Sequence, residues 1–186
     1  MSKAVFLDRD GVINLAPPQG KYITSVSQLH ILPQAPGALK LLKELGFRLI
    51  VVTNQRCIGK GLISADEMDN ICLFMNRRLE SCGAGIDRFY YCPHDYSNCC
   101  DCRKPKPGLI QTAARDMCLD VKSSYMIGDS EVDVGAGLAA ECKLVCYISR
   151  KKYQNNRVLN CRDIWDAAVR IKENTQEVPL CLRRER

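Results

Sequence analysis

Two aspartates separated by one residue follow a short apolar run near the start of the chain. Asp8 and Asp10 come directly after residues 4–7, and Gly11 permits a sharp turn that would bring both carboxylates into one pocket. Such a pair can transfer a phosphoryl group: Asp8 would attack phosphorus, while Asp10 would protonate the leaving oxygen and then activate water. Because bare carboxylates repel a phosphate dianion, we expect Mg²⁺ to bind there. Alone, the motif is more typical of a solvated turn, or of a calcium loop whose closing glutamate is missing.

Other residues suited to phosphate chemistry lie farther along the chain. The Thr53 hydroxyl, together with the backbone amides of Asn54 and Gln55, can hold phosphate oxygens. Lys104 follows in a loop stiffened by prolines, and its ammonium group can stabilise a transferring phosphoryl group. Taken singly, Thr53 is better explained as an ordinary strand end, and the alternative for Lys104 is a basic surface loop.

A third polar group follows the apolar residues 125–127. Asp129 offers the hard oxygen ligand that Mg²⁺ prefers, although its position also suits a helix N-cap. Asp133, four residues later, can orient a water molecule or Lys104, and Ser130 is expected to support the site. The predicted Mg²⁺ ligands are Asp8, Asp10 and Asp129.

Three cysteines and a histidine are concentrated in residues 92–102. Cys92, His94, Cys100 and Cys102 have the ligand types and close spacing of a tetrahedral Zn²⁺ site. Four protein ligands leave no open position, so the ion would be structural and would pin the loop that leads into the predicted phosphate-binding lysine. Cys99 is an alternative to Cys100, and a patch of free thiols is the alternative to a metal site.

Short apolar runs alternate with longer amphipathic stretches along the chain. Strands that alternate with helices predict right-handed crossovers and a parallel sheet, and near-continuous apolar strands predict burial on both faces. Ser64 and Glu67 form the sequence signature of a capping box at one helix start. The predicted strands are 4–7, 47–53, 88–91, 125–127 and 144–148. The predicted helices are about 36–45, 64–83, 107–118, 131–140 and 162–172.

The polar signatures follow successive predicted strands. Asp8 follows the first strand, Thr53 ends the second, and Asp129 comes just after the fourth. In a parallel sheet the carboxyl ends of the strands meet at one edge, and ligands bind beyond that edge. Each signal is weak by itself, but the shared placement predicts a single site.

Four segments in this order resemble the motifs of the haloacid dehalogenase (HAD) superfamily. They are DRDG at residues 8–11, TN at 53–54, KP at 104–105 and GDSEVD at 128–133. The resemblance extends over about residues 3–147 and implies a Rossmann-like three-layer α/β sandwich that forms an aspartyl phosphate. Larger members insert a cap domain between these motifs. The short spacings here predict a capless single domain over 1–186, with a tail that frays from about residue 173.

The cysteine-rich segment makes the resemblance more specific, because it is similar to particular groups of phosphatases within the superfamily. CPH at 92–94 and CDCRKPKPG at 100–108 resemble the D-glycero-D-manno-heptose 1,7-bisphosphate 7-phosphatases, and histidinol-phosphate phosphatases share much of this pattern. In the heptose enzymes the arginine that matches Arg103 is implicated in substrate recognition. The run DRDGVIN favours the heptose branch, whereas the short zinc loop is nearer the histidinol type. Arg56 and Cys57 stand where heptose enzymes usually have serine and glycine. A sugar phosphate is therefore the expected substrate, with histidinol phosphate as the alternative.

Bulk properties set the remaining expectations. The 186 residues fit one domain, and the net charge of +6 favours an anionic partner, either a small phosphorylated metabolite or nucleic acid. Few aromatic residues interrupt the zinc segment for base stacking, so a nucleic-acid-binding module or a DNA-end phosphatase is the weaker alternative. With no apolar run long enough to span a membrane and no visible secretory signal, we expect a cytoplasmic monomer.

Overall fold

The computed structural model describes residues 1–176, which form a six-stranded sheet packed between helices. The sheet order is β3-β2-β1-β4-β5-β6, and every pairing is parallel. The chain runs outward from β1 in one direction to β3, and in the other direction from β4 to β6. A crevice therefore opens between the carboxyl ends of β1 and β4, where the strand order reverses. The strands are β1 (Ala4–Leu7), β2 (Arg48–Asn54), β3 (Arg88–Cys92), β4 (Tyr125–Gly128), β5 (Leu144–Ile148) and β6 (Val158–Cys161).

Helices cover both faces of this sheet because alternate strand residues point to opposite sides. Val5 and Leu7 pack in one apolar cluster with residues of α1, α3 and α6, whereas Ala4 and Phe6 pack in the other with residues of α4 and α5. The arrangement is the predicted three-layer sandwich. The helices are α1 (Ala35–Glu44), α2 (Arg56–Gly59), α3 (Ala65–Glu80), α4 (Gly108–Asp116), α5 (Glu131–Ala139) and α6 (Ile164–Gln176).

The predicted strands and long helices are confirmed, including the capping box formed by Ser64 and Glu67 at the start of α3. Two short elements were not predicted. Strand β6 has only four residues and follows a polar stretch, and α2 is a single turn, so neither is long enough to give a clear hydrophobic period. At the other end, residues 173–176 continue α6, while the rest of the predicted tail lies outside the described residues.

The connections between the strands are short. Within residues 1–176, only α1 and a single 3₁₀ turn lie between β1 and β2, and only α2 and α3 lie between β2 and β3. No cap domain is inserted in this part of the chain, as predicted. None of the helices over the same residues combines the length and apolarity that a membrane span requires.

Helix α5 approaches the sheet closely at Gly137. A Cβ atom at this position would lie 2.7 Å from Cγ2 of Val145 and 2.9 Å from Cβ of Met126. Both neighbours belong to fully buried strand residues that cannot move freely. The absence of a side chain at Gly137 therefore sets the distance between α5 and the β4–β5 pair, and so the position of the residues at the start of α5.

We expect Gly137→Ala to lower the free energy of unfolding by about 1–3 kcal/mol, because the added methyl group overpacks this contact. Gly37→Ala in α1 is the matched control, since its Cβ would meet the Trp165 ring at 3.4 Å, near ordinary contact distance. Alanine also favours the helix, so that variant should be neutral or slightly stabilised. Urea unfolding followed by circular dichroism measures both, and equal stabilities would contradict the packing argument.

Candidate active site

At the carboxyl edge of the sheet, a buried lysine contacts β2, the residue that follows β1 and the first turn of α5. Asp8 follows β1 directly, and its backbone amide donates to the Ile127 carbonyl at 2.9 Å. Nζ of Lys104 donates to Oδ1 of Asp8 at 2.7 Å and to the Val52 carbonyl at 2.7 Å, and it lies 2.6 Å from Oδ1 of Asp133. Lys104 is only 3% exposed, so all of its charge is balanced by protein groups. The structure thus brings together residues from four sequence segments.

Electrostatics in this group favour a bound cation. Burial opposes the charge of Lys104, but Asp133 and Asp8 outweigh burial and raise its pKa above the ordinary value. Burial raises the pKa of Asp8 to about 6, against the attraction of Lys104, and burial followed by repulsion from Asp8 and Asp133 raises the pKa of Asp129 to about 7. Carboxylate oxygens of Asp8, Asp129 and Asp133 lie within 4.8 Å of one another. One lysine does not neutralise three carboxylates, and these hard oxygen donors suit a divalent cation.

Two glycines make room for these carboxylates. Gly11 has φ +88°, and a Cβ atom there would lie 2.0 Å from Oδ2 of Asp129. A Cβ atom on Gly128 would lie 2.1 Å from Cβ of Asp133. Real Cβ atoms do not tolerate such distances, so both positions require glycine for the carboxylates to reach the site.

Asp133 is fixed by the first turn of α5. The backbone amide of Ser130 donates to Oδ2 of Asp133 at 3.1 Å, and the Ser130 hydroxyl donates to the same oxygen, so the pair forms a capping box. The other oxygen of Asp133 remains for Lys104. Ser130 therefore contacts Asp133, and Asp133 contacts the lysine, while the supporting roles of both residues stay predictions.

The carboxylate of Asp10 has different surroundings from that of Asp8. Arg9 donates to both of its oxygens, at 3.1 and 2.9 Å, and Asn14 and Gln55 donate to them at 2.8 and 3.0 Å. Burial alone would raise the pKa of Asp10, but Arg9 and these hydrogen bonds lower it below the ordinary value. The Asp10 side chain lies outside the Asp8–Asp129–Asp133 group, and its expected part in binding the metal stays a prediction.

Sequence reasoning missed Arg9 and the side-chain role of Gln55. The Arg9 side chain is fully buried and also donates to Oε1 of Gln55 at 3.2 Å and to Sδ of Met68 at 3.1 Å. The Gln55 side chain in turn donates to both Asp10 and the Thr53 hydroxyl, each at 3.0 Å. The only available signal was an arginine between two aspartates, since Gln55 and Met68 are distant in sequence.

The residues at the end of β2 make different hydrogen bonds. Thr53 is buried, and its hydroxyl accepts a hydrogen bond from Gln55. The Asn54 side chain pairs with the backbone of Lys104 through two hydrogen bonds of 3.1 Å and so positions the lysine loop. The expectation for Gln55 needs correction: its backbone amide donates to the Cys92 carbonyl at 2.8 Å and is not free for a phosphate oxygen.

The cysteine-rich loop gathers the four predicted metal ligands. Sγ of Cys92 lies 3.6 Å from Nδ1 of His94 and 3.6 Å from Sγ of Cys100, and Nδ1 of His94 lies 3.2 Å from Sγ of Cys102. The edges of a tetrahedron with ordinary Zn–S and Zn–N bond lengths measure roughly 3.5–3.8 Å, so the two 3.6 Å separations match zinc and the 3.2 Å separation is shorter than such an edge. Cys99 is exposed and outside this group, which favours Cys100 as the ligand.

A cavity of about 490 Å³ extends from the lysine site along the cysteine-rich loop. Asn54, Lys104, Tyr96, Arg103 and Lys106 are among the residues that line it. The Arg103 guanidinium donates to the His94 carbonyl at 3.3 Å, so a predicted substrate-binding residue is held by the loop that carries the metal ligands. The cavity therefore adjoins the lysine site and has three basic residues in its lining, namely Arg103, Lys104 and Lys106.

Comparisons with known proteins agree with this geometry. A family model described as HAD-hydrolase-like matches residues 101–155. The D-glycero-beta-D-manno-heptose-1,7-bisphosphate 7-phosphatase of Pasteurella multocida is 38% identical over 149 residues, which are 77% of this chain and 79% of the relative. A probable enzyme of the same name from Thermoplasma volcanium is 40% identical over 132 residues, 70% of this chain and 88% of the relative.

A solved structure gives the same result at the level of the fold. The D,D-heptose 1,7-bisphosphate phosphatase from B. bronchiseptica, crystallised with magnesium and phosphate, superposes with a TM-score of 0.84 at 26% sequence identity. The match covers 92% of this chain and 99% of that structure.

The parallel sheet, with its aspartates and buried lysine at the carboxyl edge, defines a phosphatase of the HAD-like hydrolase class. Within that class, the chain belongs to the D-glycero-β-D-manno-heptose-1,7-bisphosphate 7-phosphatase family. The resemblance predicted from the motifs, including its heptose branch, is therefore confirmed.

We expect Gly11→Ala to abolish most phosphatase activity, because the new Cβ atom would displace the Asp129 carboxylate. Gly46→Ala is the matched control: Gly46 has a similar φ of +80°, but open space surrounds the position of its Cβ. Both variants should lose about 1–2 kcal/mol of stability from the left-handed backbone. Assays with p-nitrophenyl phosphate and thermal unfolding separate the effects, and full activity of Gly11→Ala would contradict the proposed contact.

Proposed function

We propose that this chain hydrolyses D-glycero-β-D-manno-heptose 1,7-bisphosphate at its 7-position. The observation that carries the proposal is the contact of Asp8 with the fully buried Lys104, which holds a nucleophile and a counter-charge together at the strand-order reversal. The family to which the chain belongs supports the substrate. We further propose that the chain acts as a single domain and a cytoplasmic monomer, as the sequence predicts.

Asp8 is the proposed nucleophile. Its carboxylate attacks phosphorus, the bond from phosphorus to the sugar oxygen breaks, and an aspartyl phosphate forms. Lys104 stabilises the charge on the transferred group. The Thr53 hydroxyl and the backbone amide of Asn54 are proposed to hold the oxygens of that group. Asp133 and Ser130 orient the lysine. Arg103 is proposed to contact the substrate beyond the reacting phosphate.

Asp10 is the proposed proton-transfer residue. It gives a proton to the leaving sugar oxygen and then takes one from the water that attacks the aspartyl phosphate, which frees Asp8 and releases phosphate. Arg9, Asn14 and Gln55 fix the orientation of its carboxylate for both steps. The lowered pKa favours the second role, in which Asp10 acts as a base.

Mg²⁺ is the proposed cofactor of this site. Asp8 and Asp129 offer hard oxygen donors in a group whose negative charge exceeds that of its single lysine. When bound, the ion neutralises the phosphate dianion and so permits attack by a carboxylate. Because the Asp10 carboxylate is committed to Arg9 and its neighbours, we assign its side chain to proton transfer and not to the metal.

We propose that the cysteine-rich loop binds Zn²⁺ through Cys92, His94, Cys100 and Cys102. All four coordination positions come from the protein, so the ion would be structural. The ion would anchor the segment that follows β3 and ends at Arg103 and Lys104. This segment has few apolar contacts of its own.

We expect Cys102→Ser to lose zinc and to weaken phosphatase activity, since the lysine loop would no longer be anchored. Cys99→Ser is the matched control, because Cys99 is a neighbouring thiol outside the ligand group. Metal content measured by mass spectrometry should show about one zinc per chain in the wild type and in Cys99→Ser. A full zinc complement in Cys102→Ser would overturn the ligand assignment.

We expect Asp8→Asn to abolish turnover while leaving the fold intact, since the amide is a poor nucleophile and keeps the shape of the carboxylate. Asp66→Asn, at an exposed position in the first turn of α3, is the control and should retain full activity. Phosphate release and circular dichroism are measured on both variants. Substantial activity in Asp8→Asn would refute the proposed nucleophile.

A substrate panel tests the proposed reaction in the presence and absence of Mg²⁺. It contains the heptose bisphosphate, histidinol phosphate, p-nitrophenyl phosphate and a DNA oligonucleotide with a terminal phosphate. A clear preference in kcat/KM for the heptose bisphosphate supports the proposal. Preference for histidinol phosphate or DNA would replace the substrate, and no release from any ester would refute the enzyme function itself.

A further inference from the structure

Helix α2 places a guanidinium group against the tip of the cysteine-rich loop. Nε of Arg56 donates to Oδ1 of Asp95 at 2.5 Å, and the same guanidinium lies over the Tyr96 ring, 4.2 Å from its centroid. Asp95 also caps the short turn that contains Tyr96, with its carboxylate accepting from the Tyr96 amide. Arg56 therefore holds both the start of this turn and its aromatic side chain.

A second guanidinium uses the same ring. The Arg103 guanidinium lies 4.4 Å from the Tyr96 centroid. Within the described part of the chain Arg103 makes no ion pair with a carboxylate, whereas Arg56 is paired with Asp95. The two arginines thus differ in function: Arg56 is neutralised and serves as a fixed support, while Arg103 keeps an uncompensated charge that can meet an anion.

Tyr96 needs this support because little else holds it. The residue is 66% exposed, and the turn that carries it has no buried residues. Contact between an arginine and an aromatic ring contributes about 0.5–1 kcal/mol at exposed sites, so two such contacts and the ion pair with Asp95 would strongly restrict the ring. Without Arg56, the ring and the Arg103 side chain stacked on it would sample more positions.

The close approach of α2 to the loop backbone is also specific to this arrangement. A Cβ atom at Gly59 would lie 2.6 Å from the Pro93 carbonyl oxygen and 2.8 Å from the Asp95 amide nitrogen. Helix α2 therefore lies directly against the segment between the zinc ligand His94 and Tyr96. Next to this backbone contact, the Arg56 side chain contacts Asp95 and Tyr96, and both of these residues line the 490 Å³ cavity.

We propose that Arg56 is a specificity-determining positioning residue. By holding Asp95 and stacking on Tyr96, it fixes the ring that supports Arg103 and so favours substrates with a second anionic group beyond the phosphate at Asp8. The inference rests on the proposed function, because it concerns the selection of a bisphosphate. Arg56 itself stays bound to Asp95 and acts through Arg103.

The test compares two substrates of the intact, zinc-loaded protein. For wild type and Arg56→Gln, kcat and KM are measured with the heptose bisphosphate and with p-nitrophenyl phosphate, which has no second phosphate. We expect the ratio of the two kcat/KM values to fall about tenfold in Arg56→Gln, mainly through KM for the bisphosphate. Arg48→Gln is the matched control: it also removes an arginine–aspartate pair, with Asp87, but at the opposite end of β2, and it should leave the ratio unchanged.

Two further variants separate positioning from simple charge attraction. Arg56→Lys keeps the charge without the planar stacking group, so it should restore only part of the ratio. In the Tyr96→Leu background Arg56→Gln should have little additional effect, because the ring through which it acts is gone. Additive effects of the two changes, or full restoration by lysine, would overturn the positioning role. An equal loss with both substrates would also overturn it.

These outcomes remain distinct from failure of the proposed function. If wild type releases no phosphate from the heptose bisphosphate but hydrolyses p-nitrophenyl phosphate, the proposed substrate is wrong. If wild type cleaves the bisphosphate and Arg56→Gln keeps the same ratio, only the role of Arg56 is refuted. Zinc content measured on each variant excludes metal loss as the cause of a change.

Discussion

The site depends on the ion pairs that the buried ammonium group of Lys104 forms with Asp8 and Asp133. Removing an ammonium group from water costs several kcal/mol, and an ion pair in such a position often stabilises a fold less than apolar residues of equal size. Lys104 is nevertheless buried, with Asp8, Asp133 and the Val52 carbonyl around it. Stability alone does not explain this choice. The arrangement is explained if a cation must stand beside Asp8 when a phosphate dianion arrives, in a place where water cannot screen it.

The surroundings of the two N-terminal aspartates separate their chemistry. Asp8 shares a buried region with Asp129 and Asp133, and the crowding of negative charge suits that region to a cation. Two residues later, Asp10 faces a fully buried arginine and two amide donors, so it carries its charge without help from a metal. The turn at Gly11 keeps the two carboxylates close in sequence while they belong to different networks. One carboxylate can therefore attack phosphorus while the other moves protons.

The sequence predicted the parallel sheet and the central residues of the site for one physical reason. Asp8 and Asp129 directly follow apolar strands, and Thr53 is the second-last residue of a third. Parallel strands bring their carboxyl ends together whatever the length of the loops between them. The partners of Asp10 could not be found in this way. Arg9 reaches Gln55 and Met68 across 46 and 59 residues, and such contacts depend on side-chain directions that no local pattern records. The same limit applied to Cys99 and Cys100, which are adjacent in sequence but differ in exposure and in distance from the other ligands.

Helix α2 shows how a short element can matter for a site that it does not enter. Its single turn follows β2 directly, so its position is fixed by the same strand that supplies Thr53 and Asn54. From there it contacts the cysteine-rich loop, which is otherwise tied to the sheet through β3 and through the bonds of Asn54 to the Lys104 backbone. The loop is thus anchored at both ends by the sheet and in the middle by α2. No cap domain is inserted between the strands of residues 1–176 that could close over a substrate. The proposed selectivity therefore depends on how rigidly α2 and the sheet hold this loop.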